Sequence, residues 1–149
     1  MSMKKYFECT VKVEKTQEDG TAKIVRETYL VDALTFTESE ARIIEELQNY
    51  ISGEFEVTGI KPTNYADIFR SDDECSDRFF KCKLFSVTLD EKSGAEKRKP
   101  FLLLVQDSDL REAVKRIDDG MKGIMIDYEI ASVALSPILE VIDYVPKSE

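Results

Sequence analysis

The sequence predicts an α+β fold with two tandem ββαβ(β) repeats, related by a pseudo-twofold axis, that form an antiparallel sheet with two helices packed on it. Three observations lead to this prediction: strand-like alternation of apolar and polar residues, helix-like apolar stripes, and the recurrence of both patterns in the second half of the chain. The length of 149 residues is usual for one domain. We therefore expect a single domain, 1–149, made of two similar halves.

The two halves open with nearly the same phrase, YFECTVKVEKTQEDG near the N-terminus and FFKCKLFSVTLDEKSG in the middle of the chain. Cys82 lies 73 residues after Cys9, and similar residues recur at almost that distance down to the last predicted strand. The distance drifts only where loops would absorb the change. We interpret the pattern as an internal duplication, with halves at about 5–69 and 78–145 joined by an acidic linker, 70–77.

Each half begins with a predicted β-hairpin. The first strand has period two, with its inward positions at Phe7, Cys9, Val11 and Val13. Its partner, Ile24–Leu34, follows a turn in which Asp19 and Gly20 supply the positive φ angles of a tight hairpin. In the second half, the turn is at 92–94 and the return strand is Phe101–Gln106.

A helix is predicted after each hairpin. Thr37-x-x-Glu40 and Asp109-x-x-Glu112 have the spacing of a capping box, and Gly53 and Gly123 stand where a left-handed C-cap is expected. The two apolar stripes are Ala41, Ile44, Leu47 and Ile51 in the first helix, and Leu110, Ala113, Val114, Ile117 and Met121 in the second.

A third strand follows each helix, and its alternation slips by one residue in both halves, which predicts a β-bulge. A last short strand, Tyr65–Phe69 or Ile138–Ile142, is expected to close each half. One hairpin and one helix cannot bury an apolar stripe alone. We therefore expect the two halves to enclose a common interior.

Composition limits the classes of function. The chain has no histidine, which removes the commonest general base and metal ligand. Three cysteines cannot all pair within one chain and lack CxxC spacing, which is typical of reduced thiols in a cytoplasmic protein. The start, MSMKKYFECT, lacks the apolar core of a secretory signal, and no apolar run approaches the length of a membrane span. We expect a cytoplasmic protein without a membrane partner.

The acidic linker has two interpretations. Its carboxylates, at Asp72, Asp73, Glu74 and Asp77, are hard oxygen ligands that would suit Ca²⁺ or Mg²⁺. The alternating acids and central glycine of a calcium loop are missing, so we favour a solvated linker with no metal and no cofactor. Cys75 in this polar stretch is expected to be exposed, and the surrounding acids disfavour its thiolate. Cys9 and Cys82 are expected to be buried in their strands.

The most suggestive candidate surface combines aromatic and basic side chains on the first strand and hairpin loop of the second half. Its residues are Phe79, Lys81, Lys83, Phe85, Lys92, Lys97, Arg98 and Lys99. Aromatic rings between lysines on a sheet can stack bases and hold phosphates. The alternative is that Phe85, with Val87 and Leu89, packs under the other half or in a homodimer, while the lysines are solvated at the edge. A net charge of −9 disfavours a nucleic acid and favours this alternative.

The run FLLLV, Phe101–Val105, is apolar on both phases of a strand. It fits either a strand covered on both faces or a strand whose second face forms a homodimer. An enzyme is the least supported class, because there is no Gly-rich phosphate loop, no GxSxG motif and no metal-ligand spacing. No catalytic residue is therefore proposed from the sequence.

Five phrases carry a family resemblance: YFECTVKVEKT, YLVDALTFTESEARIIEEL, ISGEFEVTGIK, FFKCKLFSVTLDEKSGAEK and DDGMKG. Together they resemble the domain of unknown function 4494 family, uncharacterised proteins of gut Bacteroidetes and their phages and mobile elements. The resemblance runs from Tyr6 to about Tyr144 and implies a bacterial cytosolic or phage-associated protein, without catalytic residues to carry over. We expect a non-enzymatic binding or structural protein. The alternative is a single-stranded nucleic-acid-binding accessory protein of a phage or mobile element.

Overall fold

The computed structural model describes residues 5–146, and the chain divides into two compact units. Unit 1 consists of the described residues up to Asn64 together with those from Pro137 onward, and unit 2 consists of Tyr65–Ser136. The first four residues, which bear on the predicted absence of a secretory signal, lie outside the described part. No helix within residues 5–146 is long and apolar enough to cross a membrane.

Ten elements follow one another in the order ββαββ, which occurs twice. In the first half they are β1 (Tyr6–Thr16), β2 (Ala22–Asp32), α1 (Phe36–Gln48), β3 (Phe55–Pro62) and β4 (Tyr65–Phe69). In the second half they are β5 (Arg78–Leu89), β6 (Glu96–Asp107), α2 (Leu110–Met121), β7 (Asp127–Leu135) and β8 (Ile138–Ile142). The fold class is therefore α+β, as the periodicities predict.

Each unit contains a four-stranded sheet with mostly antiparallel pairing. In unit 1 the strand order is β3-β1-β2-β8, and in unit 2 it is β4-β6-β5-β7. The hairpins β1–β2 and β5–β6 are antiparallel, as are the pairs β1–β3 and β5–β7. The outer strands β8 and β4 run parallel to β2 and β6.

The last strand of each half lies in the sheet formed by the other half: β4 joins β5, β6 and β7, and β8 joins β1, β2 and β3. The expectation that β4 and β8 close their own halves is therefore wrong. Distance excludes one alternative, a place for β4 beside β2. In its own sheet, β4 could reach the free side of β2 only by crossing three strand spacings, roughly 14 Å, from the end of β3. The three residue steps from Pro62 to Tyr65 span at most about 11 Å. The equally short step from Leu135 to Ile138 imposes the same limit on β8.

The buried apolar side chains form two main clusters, one in each unit. In unit 1, Phe7, Cys9, Val11 and Val13 of β1 pack beneath Ile43 and Leu47 of α1. In unit 2, the corresponding cluster is Phe80, Cys82, Leu84, Leu103, Val105, Ala113, Ile117 and Met121. Each helix therefore covers the sheet of its own unit. Each sheet also contains one strand from the other half of the chain, and the expectation of a common interior did not include this exchange.

The helix caps were predicted correctly in the second half and incorrectly in the first. Asp109 caps α2 by accepting a hydrogen bond from the Glu112 amide at 2.9 Å, as expected. In α1 the cap is Thr35, two residues before the predicted Thr37, and its Oγ1 accepts from the Glu38 amide at 3.1 Å. The sequence contains both spacings, Thr35-x-x-Glu38 and Thr37-x-x-Glu40. With the cap at Thr35, the centroids of the Phe36 and Phe7 rings are 5.0 Å apart.

The buried face of α1 is rotated relative to the predicted stripe. Its buried positions are Ser39, Ile43 and Leu47, while Ala41 of the predicted stripe is exposed. Gly123 has φ +83° immediately after the end of α2, as expected of a left-handed cap. Gly53 does not have positive φ, so the C-cap predicted there is wrong.

The hairpins and bulges agree with the sequence in their main features. Gly20 and Gly94 have φ +84° and +70° in the two turns, where an L side chain would be strained. Asp19 does not have positive φ, so the expectation of two positive φ angles in the first turn is wrong. The register between β1 and β3 shifts at Thr10/Val11, and that between β5 and β7 shifts at Lys83/Leu84, which confirms the bulges.

The return strand β6 is longer than predicted, because its pairing with β5 continues back to Glu96. Within it, adjacent residues Leu103 and Leu104 point to opposite faces and are both almost fully buried. Of the two interpretations of FLLLV, the strand covered on both faces is the one observed for this pair.

Candidate functional site

The predicted aromatic and basic surface is centred on β5, on the sheet face opposite α2. Lys81 and Lys83 are exposed there, and Phe85 is half-buried. The Lys83 ammonium lies 5.3 Å from the centroid of the Phe85 ring, which is the geometry of a cation–π contact. These three side chains form a compact patch on the second strand from the sheet edge.

Two other members of the predicted surface are not available for phosphate or base contacts. Phe79 is only 5% exposed, so it cannot stack an incoming base. Its position next to Phe80 at the start of β5 places two large aromatic residues on opposite faces, and both faces are covered there. Arg98 donates to the Glu129 carboxylate at 3.1 Å, across β5, so its charge is already paired.

The remaining lysines do not extend the patch. Lys97 and Lys99 alternate with Arg98 along β6, so they lie on the other face of the hairpin. The Lys97 ammonium is 3.9 Å from the Asp90 carboxylate. Lys92 is exposed in the turn. The structure therefore brings together Lys81, Lys83 and Phe85 and places Arg98, paired with Glu129, on the same face. It separates Lys92, Lys97 and Lys99 from them and buries Phe79.

Strand β3, at the edge of the sheet in unit 1, is a second candidate site that the sequence analysis missed. The Glu14 amide donates to the Glu54 carbonyl, which makes positions 14 and 54 a hydrogen-bonded pair. Because bonded and non-bonded pairs alternate in an antiparallel ladder, the amides and carbonyls of Phe55 and Val57 point away from β1. These backbone groups are directed at the open edge of the sheet.

The same alternation holds at the other end of β3, beyond the bulge. The Thr63 amide donates to the Tyr6 carbonyl at 3.1 Å, so Lys61 faces β1 and Ile60 faces the open edge. Pro62 ends the strand and has no amide to donate, a residue type that sheets tolerate at their edges. The usable edge is therefore the run from Phe55 to Ile60.

A cleft of about 570 Å³ adjoins β3 on the side of α1. Its floor contains the apolar side chains of Ile44, Phe55 and Val57, and Glu40, Glu54 and Glu56 also line it. Among residues 5–146, no lysine or arginine lines this cleft. We call it the helix-side cleft.

A smaller cleft of about 170 Å³ lies on the opposite face of the same strand. It shares Glu54, Phe55 and Glu56 with the helix-side cleft and is completed by Lys12, Glu14 and Ile24. We call it the outer cleft. The open edge of β3 thus lies between two concave surfaces, both with an excess of carboxylates over ammonium groups. The signal in the sequence was the alternation of Glu54, Phe55, Glu56 and Val57, which we had interpreted only as a strand.

A third cleft in unit 1, of about 270 Å³, contains a hydrogen-bonded polar cluster. The Tyr29 hydroxyl donates to Glu27, whose other carboxylate oxygen lies 2.8 Å from the Lys15 ammonium. Glu140 of the exchanged strand β8 also lines the cleft. The sequence analysis missed this cleft, because Glu140 and Ile142 of the second half line it together with residues of the first half.

The ionisation of this cluster is fixed near neutral pH. Burial raises the pKa of Tyr29, and its hydrogen bond to Glu27 raises it further. Burial also acts to raise the pKa of Glu27, but the hydrogen bonds from Lys15 and Tyr29 and the charge of Lys15 outweigh it and leave the pKa below its usual value. An ionised carboxylate and a neutral phenol are poor candidates for proton transfer at pH 7.

The three cysteines are free thiols, and their exposure follows the prediction. Cys9 and Cys82 are buried, and burial raises their pKa to about 11 and about 12. Cys75 is exposed, and its amide donates to the Asp73 carboxylate at 2.9 Å in the linker. No group of three or more acidic, thiol or imidazole side chains within residues 5–146 is arranged to hold a metal ion.

The comparison with protein families identifies the chain. The family model "Domain of unknown function (DUF4494)" matches residues 5–144. The chain belongs to this family. The match covers both units and both exchanged strands. No curated protein and no solved structure matches the chain.

Proposed function

We propose that this DUF4494 protein is a non-enzymatic binding protein that holds an extended segment of a protein partner against the open edge of β3. The observation that supports the proposal most strongly is the placement of two clefts on opposite faces of one edge strand. A peptide that adds a strand to a sheet gains backbone hydrogen bonds along the edge. Its alternate side chains enter pockets on the two faces, and these pockets determine specificity.

The first experiment asks whether this edge binds peptides at all. A library of random nine-residue peptides displayed on phage is selected against the chain. Enriched peptides are then measured by fluorescence anisotropy against the chain and against Val57→Pro and Val57→Ala. The proline variant removes an amide that points at the open edge, and the alanine variant shortens the same side chain while keeping that amide.

We expect the alanine variant to bind more weakly than the parent, because Val57 forms part of the cleft floor. The proline variant should bind about tenfold more weakly than the alanine variant, because it also loses a backbone hydrogen bond and its ring obstructs the edge. Circular dichroism of both variants confirms that they are folded. Failure to enrich any peptide, or equal binding by the two variants, would contradict the proposal.

A second candidate function is binding of single-stranded nucleic acid by unit 2. The observation that favours it is the patch of Lys81, Lys83 and Phe85, in which an exposed lysine lies above an aromatic ring. The buried Phe79 and the paired Arg98 weigh against it. We rank it below peptide binding, since one half-buried ring and two lysines make a small site for stacking and charge.

An oligonucleotide titration tests the second candidate. A labelled single-stranded oligonucleotide is titrated at low and at higher salt with the chain, with Lys81→Glu/Lys83→Glu and with Lys23→Glu/Lys122→Glu, which makes the same charge change elsewhere. Binding that weakens steeply with salt and is lost only in the first variant supports this function. Binding that is absent at micromolar protein, or equally reduced in both variants, excludes it.

The proposal includes a cytoplasmic location, because all three cysteines are free and two of them are buried as thiols. The repeated ββαββ order supports the proposal that the two halves arose by duplication. A setting in phages or mobile elements stays a prediction from the family resemblance.

A further inference from the structure

The geometry points to the kind of segment that β3 accepts: we infer an extended peptide with lysine or arginine at alternate positions, whose basic side chains lie over the outer cleft. This inference rests on the proposed function and names the chemistry of the partner. It is drawn from the pleat of the strand and from the residues of the two clefts.

The first step concerns the pleat. Side chains of an added strand fall on the same two faces as those of its neighbour, in strict alternation. Positions beside Phe55 and Val57 lie over the helix-side cleft, because these two side chains form part of its floor. Positions beside Glu54 and Glu56 lie over the outer cleft. One face of the peptide therefore meets one cleft along the whole edge.

The second step concerns charge. Glu54 and Glu56 alternate with Phe55 and Val57, so their carboxylates lie on the face of the outer cleft, which Glu14 and Lys12 also line. Ile24, which lines the same cleft, is 59% exposed. A lysine or arginine side chain fits both features, because its aliphatic stem covers apolar surface while its charged head reaches the carboxylates.

The third step concerns the other face. The helix-side cleft has the apolar side chains of Ile44, Phe55 and Val57 in its floor, and Glu40 of α1 also lines it. This cleft suits an apolar or β-branched side chain, which would cover Phe55 and Val57. The expected pattern is thus basic and apolar residues in alternation.

The fourth step concerns length. The edge groups run from Phe55 to Ile60, and Pro62 supplies no further amide. The bulge between β1 and β3 falls within this run, beyond Val57, and changes the spacing of the edge groups. The segment that the strand can hold is accordingly short, on the order of five residues, which is the common length of a strand.

Three nine-residue peptides that differ only in charge test the inference. They alternate valine with lysine, with glutamate or with threonine, and they are measured by isothermal titration calorimetry at low and physiological salt. Amide hydrogen exchange by NMR at saturating peptide reports whether Phe55, Val57 and Ile60 become protected. We expect the lysine peptide to protect these amides and to bind about tenfold more tightly than the threonine peptide at low salt, less so as salt rises. The glutamate peptide is expected to bind most weakly.

A charge-reversal variant, Glu54→Lys/Glu56→Lys, is measured with the same peptides. Its control is Asp72→Lys/Glu74→Lys, which makes the same change in net charge at two exposed residues of the linker in unit 2. We expect the first variant to prefer the glutamate peptide and the control to keep the preference for lysine. A control that loses the preference equally would show that only net charge matters and would overturn the inference.

The outcomes separate this inference from the proposed function. Equal protection of the edge amides by all three peptides would leave strand addition standing and refute the basic preference. Protection by none of the peptides would refute the basic preference, and failure of the phage selection as well would refute the function. Binding of the lysine peptide without protection at the edge would place it on another acidic surface and would also overturn the inference.

Discussion

The substitution Gly120→Ala tests the strand exchange through its sign. Gly120 lies in the last turn of α2, where alanine normally stabilises a helix by about 0.5–1 kcal/mol relative to glycine. Here, a Cβ atom at position 120 would lie 2.6 Å from the Phe69 ring, which belongs to the exchanged strand β4. Real Cβ atoms do not approach that closely, so the ring or the helix must move.

The expected magnitude follows from the two opposing effects. Overpacking of this kind costs about 1–3 kcal/mol, which exceeds the helix gain. We therefore expect Gly120→Ala to lower the free energy of unfolding by about 1 kcal/mol, with an upper limit near 2 kcal/mol. In a Phe69→Leu background, two of the three clashing ring atoms are absent, and the same substitution should become neutral or stabilising.

A double-mutant cycle measures this coupling. Urea denaturation is followed by circular dichroism for the parent, both single variants and the double variant. The account predicts a coupling energy of about 1–2 kcal/mol between positions 69 and 120. If Gly120→Ala stabilises the parent and the Phe69→Leu background alike, the two residues do not touch, and the placement of β4 in unit 2 is wrong.

Three further predictions concern a helix cap, a titrating group and the thiols. In urea denaturation, Thr35→Ala should lower the free energy of unfolding by about 1 kcal/mol, and Thr37→Ala should leave it almost unchanged. A larger effect at Thr37 would show that the cap expected from the sequence is the right one. Because the folded pKa of Glu27 is lowered, the stability that its ionised form contributes is present above its unfolded pKa near 4.5 and is lost as the pH falls below it. The difference in free energy of unfolding between the parent and Glu27→Gln should therefore shrink as the pH falls below 4.5. A constant difference from about pH 7 to 3 would contradict this. A thiol reagent at pH 8 should modify one cysteine, Cys75, within minutes and the other two only after denaturation; rapid modification of all three would contradict the burial of Cys9 and Cys82.

Local patterns in the sequence predicted most of the elements. Period-two alternation marked β1, β3, β5 and β7, and a slipped phase marked both bulges. These features depend on neighbouring residues, which determine which side of a strand or helix is apolar. The cap of α1 was missed because two overlapping Thr-x-x-Glu spacings are equivalent in local terms, and only the contact of Phe36 with Phe7 distinguishes them.

The exchange of β4 and β8 is a pairing between distant parts of the chain, and five-residue strands carry too little pattern to specify a partner. The short connections Pro62–Tyr65 and Leu135–Ile138 did contain the relevant geometric limit. That limit becomes usable only once the strand order of each sheet is known. The third cleft was missed for the same reason, because Glu140 reaches it only through the exchanged strand.

The predicted surface in unit 2 shows how far alternation can locate a site. Alternation placed Lys81, Lys83 and Phe85 on one face correctly. It also placed Phe79 on that face, but it could not show that the face is covered at that position. Exposure depends on what packs above a strand, and that information lies outside the strand's own sequence.

Backbone amide exchange of the free protein, measured by NMR on a uniformly labelled sample, tests the central claim most directly, because that claim requires an open edge on β3. The account predicts fast exchange at Phe55, Val57 and Ile60, whose amides point away from β1, and slow exchange at Glu56 and Lys61, whose amides point toward it. Slow exchange at all five positions in the free protein would mean that the edge is already occupied, and would contradict the account.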